Sequence, residues 1–103
     1  MYKRQALKLE EAGCFAMVLE CVPDSLAAEI TANVSIPTIG IGAGPFTDGQ
    51  VLVFQDLLGM QTNFKPKFLR HYLSGECIIT DAINQFHQDV TESSFPSRRE
   101  SYR

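Results

Sequence analysis

The chain has 103 residues, 45% hydrophobic and 20% charged, the size and balance of one small globular domain. Its net charge of -3 argues against a nucleic-acid surface, which would show a basic stripe, and no apolar run approaches the roughly 20 residues of a membrane span. The start, MYKRQALKLEEAG, carries basic residues with no long apolar region after them, so it does not read as a signal peptide.

Residues 3–12, KRQALKLEEA, predict the end of a helix, with Ala6, Leu9 and Ala12 on one face and Gly13 as its stop. Residues 14–20, CFAMVLE, form a nearly continuous apolar run, as in a strand buried on both sides of a parallel sheet. Asp24 is the expected N-cap of the next helix, SLAAEITANV, whose Leu26, Ile30 and Val34 repeat at four-residue spacing. Pro37 opens a second strand, Thr38 to Ile41, through whose end Gly40, Gly42 and Gly44 alternate. A third strand is expected at Val51 to Phe54, a helical turn at Asp56 to Gly59, and a short helix at FKPKFLRHYL, with Pro66 in its first turn. ECIITDAINQFHQDV predicts an amphipathic helix with Ile79, Ala82, Ile83, Phe86 and Val90 on its apolar face. The tail from Ser93 is Ser/Arg-rich and expected to be loose.

This alternation implies an α/β fold with parallel strands. Only residues 43–50 separate the second and third strands, whereas a parallel return usually needs a crossover of a dozen or more residues. A hairpin is one solution. Eight extended residues span about 26 Å, so a helix-free parallel return is also possible. Three parallel strands leave faces and edges uncovered, which suggests part of a larger sheet.

Within AMVLECVP one acid, Glu20, interrupts a segment otherwise built for burial. Active sites of α/β folds are assembled at the C-terminal ends of strands. A carboxylate partly desolvated there is suited to general-base work. The structural alternative is an acid that faces solvent or pairs with a basic neighbour. The glycines follow G-x-G-x-G, not G-x-G-x-x-G, which argues against a dinucleotide fold and for close backbone approach to a ligand or to packed neighbours. Asp48 with Gly49 reads as turn chemistry and Asp56 as a helix cap. His71 and His87 match no metal spacing. Lys65, Lys67 and Arg70 read as a solvated face. Cys14, Cys21 and Cys77 form no Cys-x-x-Cys pair, as expected of reduced thiols in a cytoplasm.

LECVP, IPTIGIGAG and DGQVLV, in this order, closely resemble the C-terminal part of the ketopantoate (3-methyl-2-oxobutanoate) hydroxymethyltransferases. The resemblance implies a TIM (β/α)8 barrel, of which residues 1–92 would supply about strands six to eight and the following helices, with 93–103 as tail. It implies a cytoplasmic enzyme of pantothenate biosynthesis. This enzyme moves a hydroxymethyl group from 5,10-methylenetetrahydrofolate to 3-methyl-2-oxobutanoate with the help of Mg²⁺. Its partners would be the small-molecule keto acid and folate, with no nucleic acid and no membrane, and it would assemble as a homo-oligomer, decameric in bacteria. Glu20 matches the family's proton acceptor, and Val18 and Val22 would help exclude water from it. Ile41, Val51 and Val53 match positions that line its keto-acid pocket. The magnesium ligands belong to the N-terminal half, so none is assigned in this chain. Because the chain begins mid-helix at Met1, a truncated frame or fragment, inactive alone, is expected. Two other roles compete with this reading: a non-catalytic half-barrel serving binding or assembly, and a phosphate-binding barrel half using Gly42 and Gly44.

Overall fold

A computed structural model describes all 103 residues, in two compact units. The first comprises residues 1–53 and 65–69, and the second residues 54–64 and 70–103.

In the first unit, α1 runs Tyr2–Glu11. Gly13, at φ +101°, ends it: the Gly13 N–H donates to the Glu10 carbonyl and the Cys14 N–H to that of Leu9. A left-handed residue with these reversed bonds is the usual way to satisfy a helix's last carbonyls. Strand β1 is Met17–Glu20, and α2 is Asp24–Asn33. Pro23, not Asp24, occupies the N-cap. Asp24 sits one residue inside, where its Oδ1 accepts the Ser25 N–H at 2.8 Å and its charge complements the helix dipole. Ala27 and Ile30 are the buried residues of α2, with Leu26 and Val34 partly buried beside them. The helices are joined at the surface by Lys3 Nζ to Glu29 Oε1, 2.7 Å.

Strand β2 is Thr38–Ile41, as the sequence predicts, and β3 is Gly49–Gln50. The order is β1-β2-β3 and both pairings are parallel. The short link between β2 and β3 is therefore a helix-free parallel return. Strand β3 lies earlier than the expected Val51–Phe54. The Val51 N–H still donates to the Gly40 carbonyl at 3.0 Å. Beyond it, Gly42 turns left-handed at φ +68° and β2 has ended, so later residues have no ladder partner. Phe54 instead opens α3.

The core gathers Ala6, Met17, Leu19, Ala27, Ile30 and Ala43. Helices α1 and α2 thus cover the Met17/Leu19 face of β1. The opposite face is bare: Val18 is 62% exposed and Glu20 is exposed. The expected burial of this strand on both sides is corrected to burial on one. Residues 65–69 form a turn, closed by the Leu69 N–H on the Pro66 carbonyl, in place of the expected helix around Pro66. Leu69 is buried and the Phe68 ring lies over Gly42, so tertiary anchoring overrides the helical pattern here.

In the second unit, α3 spans Phe54–Leu57 and α4 spans Gly75–Thr91. Asp56 lies inside α3 rather than capping it, and Gly59, at φ +65°, donates its N–H to the Asp56 carbonyl. The two helices are knitted through backbone: the Gly75 N–H donates to the Leu58 carbonyl and the Glu76 N–H to that of Gly59. Along α4 the predicted apolar positions Ile79, Ala82, Ile83, Phe86 and Val90 are all exposed. Phe95 packs edge-on to Phe86, centroids 5.5 Å apart, and the tail ends in a 3-10 turn at Arg98–Glu100, boxed by Ser97 and Glu100. No helix is long and apolar enough to cross a membrane.

Candidate functional site

Parallel register decides which side chains share a face. Glu20 pairs with Ile41, and Gly40 with Gln50, so Val51 stands level with Ile41. Glu20, Ile41 and Val51 therefore occupy one rung across three strands, on the face that α1 and α2 do not cover. Neighbouring strands lie about 4.8 Å apart, so this rung spans roughly 10 Å. Val18 and Ile39 form the rung beneath on the same face. Val53 follows Val51 two residues later, beyond the ladder and half exposed. The sequence marked Glu20, Ile41, Val51 and Val53 one by one. Val18 was legible as a neighbour of Glu20, but the place of Ile39 needed the register.

The Glu20 carboxylate makes no hydrogen bond and no ion pair; the chain's one ion pair is Lys3 with Glu29. Of the structural alternative, the basic partner is absent, whereas the solvent-facing acid is what Glu20 is in this chain, exposed at the end of β1. Val22 packs against the core cluster and, together with Val18 and Glu20, lines a depression at the edge of β1. Glu20 and the glycine-rich segment lie on the same rim, since the Cys21 N–H donates to the Ile41 carbonyl at 3.0 Å and Gly42 comes next. Along the free edge of β1, a depression of about 220 Å³ is lined by Tyr2, Gln5, Ala6, Leu9, Val18 and Glu20, among others.

The glycines are explained by neighbours within the chain. A Cβ on Gly44, at φ +77°, would overlap the Asp24 side chain. A Cβ on Gly42 would meet the Phe68 ring at 2.9 Å, and on Gly40 the Thr47 hydroxyl at 2.7 Å. Of the two readings open from sequence, close approach to packed neighbours is the one these distances support. Gln50 completes the loop by donating from Nε2 to the Gly44 carbonyl (2.8 Å) and to Thr47 Oγ1 (3.0 Å).

Asp48 does more than turn the chain. Its Oδ2 accepts the Thr38 N–H at 2.8 Å and the Thr38 hydroxyl at 3.2 Å. Its own N–H donates back to Thr38 Oγ1, which also bonds Thr31 Oγ1. Thr38 is fully buried. This clamp holds the start of β3 against the start of β2 without a covering helix. Nothing in the sequence alone pairs positions 38 and 48.

No group of three or more His, Cys, Asp and Glu comes together as a metal site. His71 is half buried with Nε2 unpartnered, and His87 is exposed. Arg70 lies over the Tyr72 ring, 5.8 Å from its centroid, and Lys65 and Lys67 are exposed. The three cysteines are free and exposed.

A family model described as ketopantoate hydroxymethyltransferase matches residues 2–98. A relative from Bdellovibrio bacteriovorus, named 3-methyl-2-oxobutanoate hydroxymethyltransferase, is 61% identical over 97 residues, which is 94% of this chain and 37% of that protein. Relatives of the same name from Salinibacter ruber and Francisella tularensis subsp. tularensis are 57% and 51% identical, covering 97% and 95% of this chain and 38% and 37% of their own lengths. The chain thus spans little more than a third of the length of the curated relatives it matches.

Proposed function

Because the chain belongs to the ketopantoate hydroxymethyltransferase family, we propose that its β1, β2 and β3 are strands six to eight of a (β/α)8 barrel whose mouth carries hydroxymethyl transfer to 3-methyl-2-oxobutanoate. The observation that carries this reading is the shared rung of Glu20, Ile41 and Val51 on the face the helices leave open. Barrel enzymes place their chemistry at the C-terminal ends of the strands, where Glu20 and the glycine segment lie.

In this reading Glu20 is the general base. Its carboxylate takes the proton from C3 of the keto acid. The resulting enolate carbon attacks the methylene carbon of 5,10-methylenetetrahydrofolate as one C–N bond of that carbon breaks, its electron pair going to nitrogen. Water then supplies the hydroxyl that replaces the second nitrogen, which leaves protonated as tetrahydrofolate. A base must come within hydrogen-bond distance of its proton, and the Glu20 oxygens have no ion-pair partner competing for them. Ile41 and Val51 hold the isopropyl end of the keto acid beside the carboxylate, with Val53 at the outer margin. This face is open in the chain itself, so in this reading the remaining strands of the barrel close it and these apolar walls then exclude water from the base. Magnesium is expected of the family, but the residues of this chain do not fit it: no cluster of suitable ligands forms. Its ligands would have to come from the part of the longer relatives that this chain does not match. The phosphate reading has less support: Phe68 and Asp24 fill the Cβ sides of Gly42 and Gly44, and the depression of about 410 Å³ that these glycines line with Pro45, Gln50 and Phe68 contains no Lys or Arg to pair an anion.

The test is a chimera that joins this chain to the part of the Bdellovibrio bacteriovorus relative that it does not match. The chimera is expected to form 2-dehydropantoate from the keto acid and methylenetetrahydrofolate, and this chain alone to form none. A folded but inactive chimera, or full activity in the chain alone, would overturn the proposal.

A further inference from the structure

Cys21 is a non-glycine residue in the left-handed region, at φ +53°, directly after Glu20. Side chains with a Cβ are uncommon there, and β-branched ones are outliers. Both flanks hold it in place. On one side the Cys21 N–H is the last β1 donor to β2, bonded to the Ile41 carbonyl at 3.0 Å. On the other, Val22 is packed against the core cluster and the Pro23 carbonyl accepts the Ala27 N–H of α2. The Cys21 side chain itself is exposed, so packing of the thiol does not set this conformation.

Strand alternation shows what the conformation achieves. Val18 and Glu20 lie on the open face, and an extended Cys21 would carry Val22 onto that same face, beyond Glu20. The left-handed turn sends Val22 to the core instead. Glu20 is therefore the last side chain that β1 presents on the open face, while Val22 borders with it the depression at the strand's edge.

We propose that Cys21 is a positioning residue: its left-handed backbone ends the alternation of β1 and so fixes Glu20 as the last side chain of that strand on the open face. This rests on Glu20 acting as the base. The proposal concerns the backbone, so it predicts that variants sort by tolerance of positive φ and not by the chemistry of the side chain. In the chimera, Cys21→Gly and Cys21→Asn, both of which accept this conformation, are expected to keep kcat within about twofold. Cys21→Val, which resists it, is expected to lose on the order of tenfold in kcat with KM little changed, and Cys21→Ala to fall between. Rates are taken per folded protein, with the folded fraction read by circular dichroism at the assay temperature. Should Cys21→Val not fold, the order of Gly and Asn above Ala carries the same information. Equal kcat across the series, or a loss in Gly and Asn as large as in Val or Ala, would overturn the inference. Glu20→Gln is run alongside. If it retains activity, the base assignment itself fails; if it is inactive while the Cys21 series is flat, only the positioning inference fails.

Discussion

A carboxylate with no hydrogen bond and no ion pair keeps its lone pairs for whatever enters beside it, and Glu20 is in that condition at the end of β1. Its neighbours on the rung are aliphatic, so a ligand there trades water for methyl groups. Removing the Ile41 side chain beyond Cβ should lower kcat/KM of the chimera about tenfold or more, since each methylene of fit in such a pocket is worth about 1–3 kcal/mol; steady-state kinetics with the keto acid varied would show it. Asp48 has the opposite character, because its charge is spent on holding the backbone. Asp48→Ala leaves the buried Thr38 N–H without its acceptor and should destabilise the chimera by about 1–3 kcal/mol, read as a lower urea midpoint with an unchanged slope. Asp48→Asn, which retains one carbonyl oxygen, should lose less. At this scale the sequence revealed Glu20, because an acid stands out in an apolar run. It hid the Thr38–Asp48 clamp, because a bond across ten residues leaves no local pattern.

Among the elements, the loop from β2 to β3 replaces a crossover helix with close packing, and its glycines differ in what they tolerate. Gly44→Ala would meet both a left-handed backbone and the Asp24 side chain, and should cost about 2–5 kcal/mol. Gly13→Ala faces a positive φ with nothing within 4 Å, and should cost only about 1–2 kcal/mol. Paired urea titrations would show the difference; equal losses would mean that the Gly44–Asp24 contact is not tight. The legibility of the elements followed the same division. Strand β2 was readable to the residue because Pro37 and Gly42 punctuate it. Strand β3 was misplaced because a ladder ends where its partner ends, and the apolar run Val51–Phe54 says nothing about where β2 stops. The helix predicted around Pro66 gave way to a turn because Phe68 and Leu69 find contacts that local propensity cannot foresee.

On the scale of the whole molecule, the sheet has two unpaired edges, and large apolar side chains stay exposed from Val18 to Val90. Open edges of this kind template association. The chain by itself should therefore elute as oligomers or aggregates in size-exclusion chromatography, and the chimera as a defined species; a monodisperse monomer of the chain alone would contradict that expectation. Family membership was readable from three motifs in order, whereas the alignment of acid and aliphatic wall on one rung depends on register, which no motif encodes. The most direct measurement is the exchange of the C3 hydrogen of 3-methyl-2-oxobutanoate with deuterated solvent, followed by NMR, in the chimera and its Glu20→Gln variant. The variant, equally folded, is expected to exchange about 10²–10⁴-fold more slowly. Exchange at the parent rate would mean that some other group removes the proton.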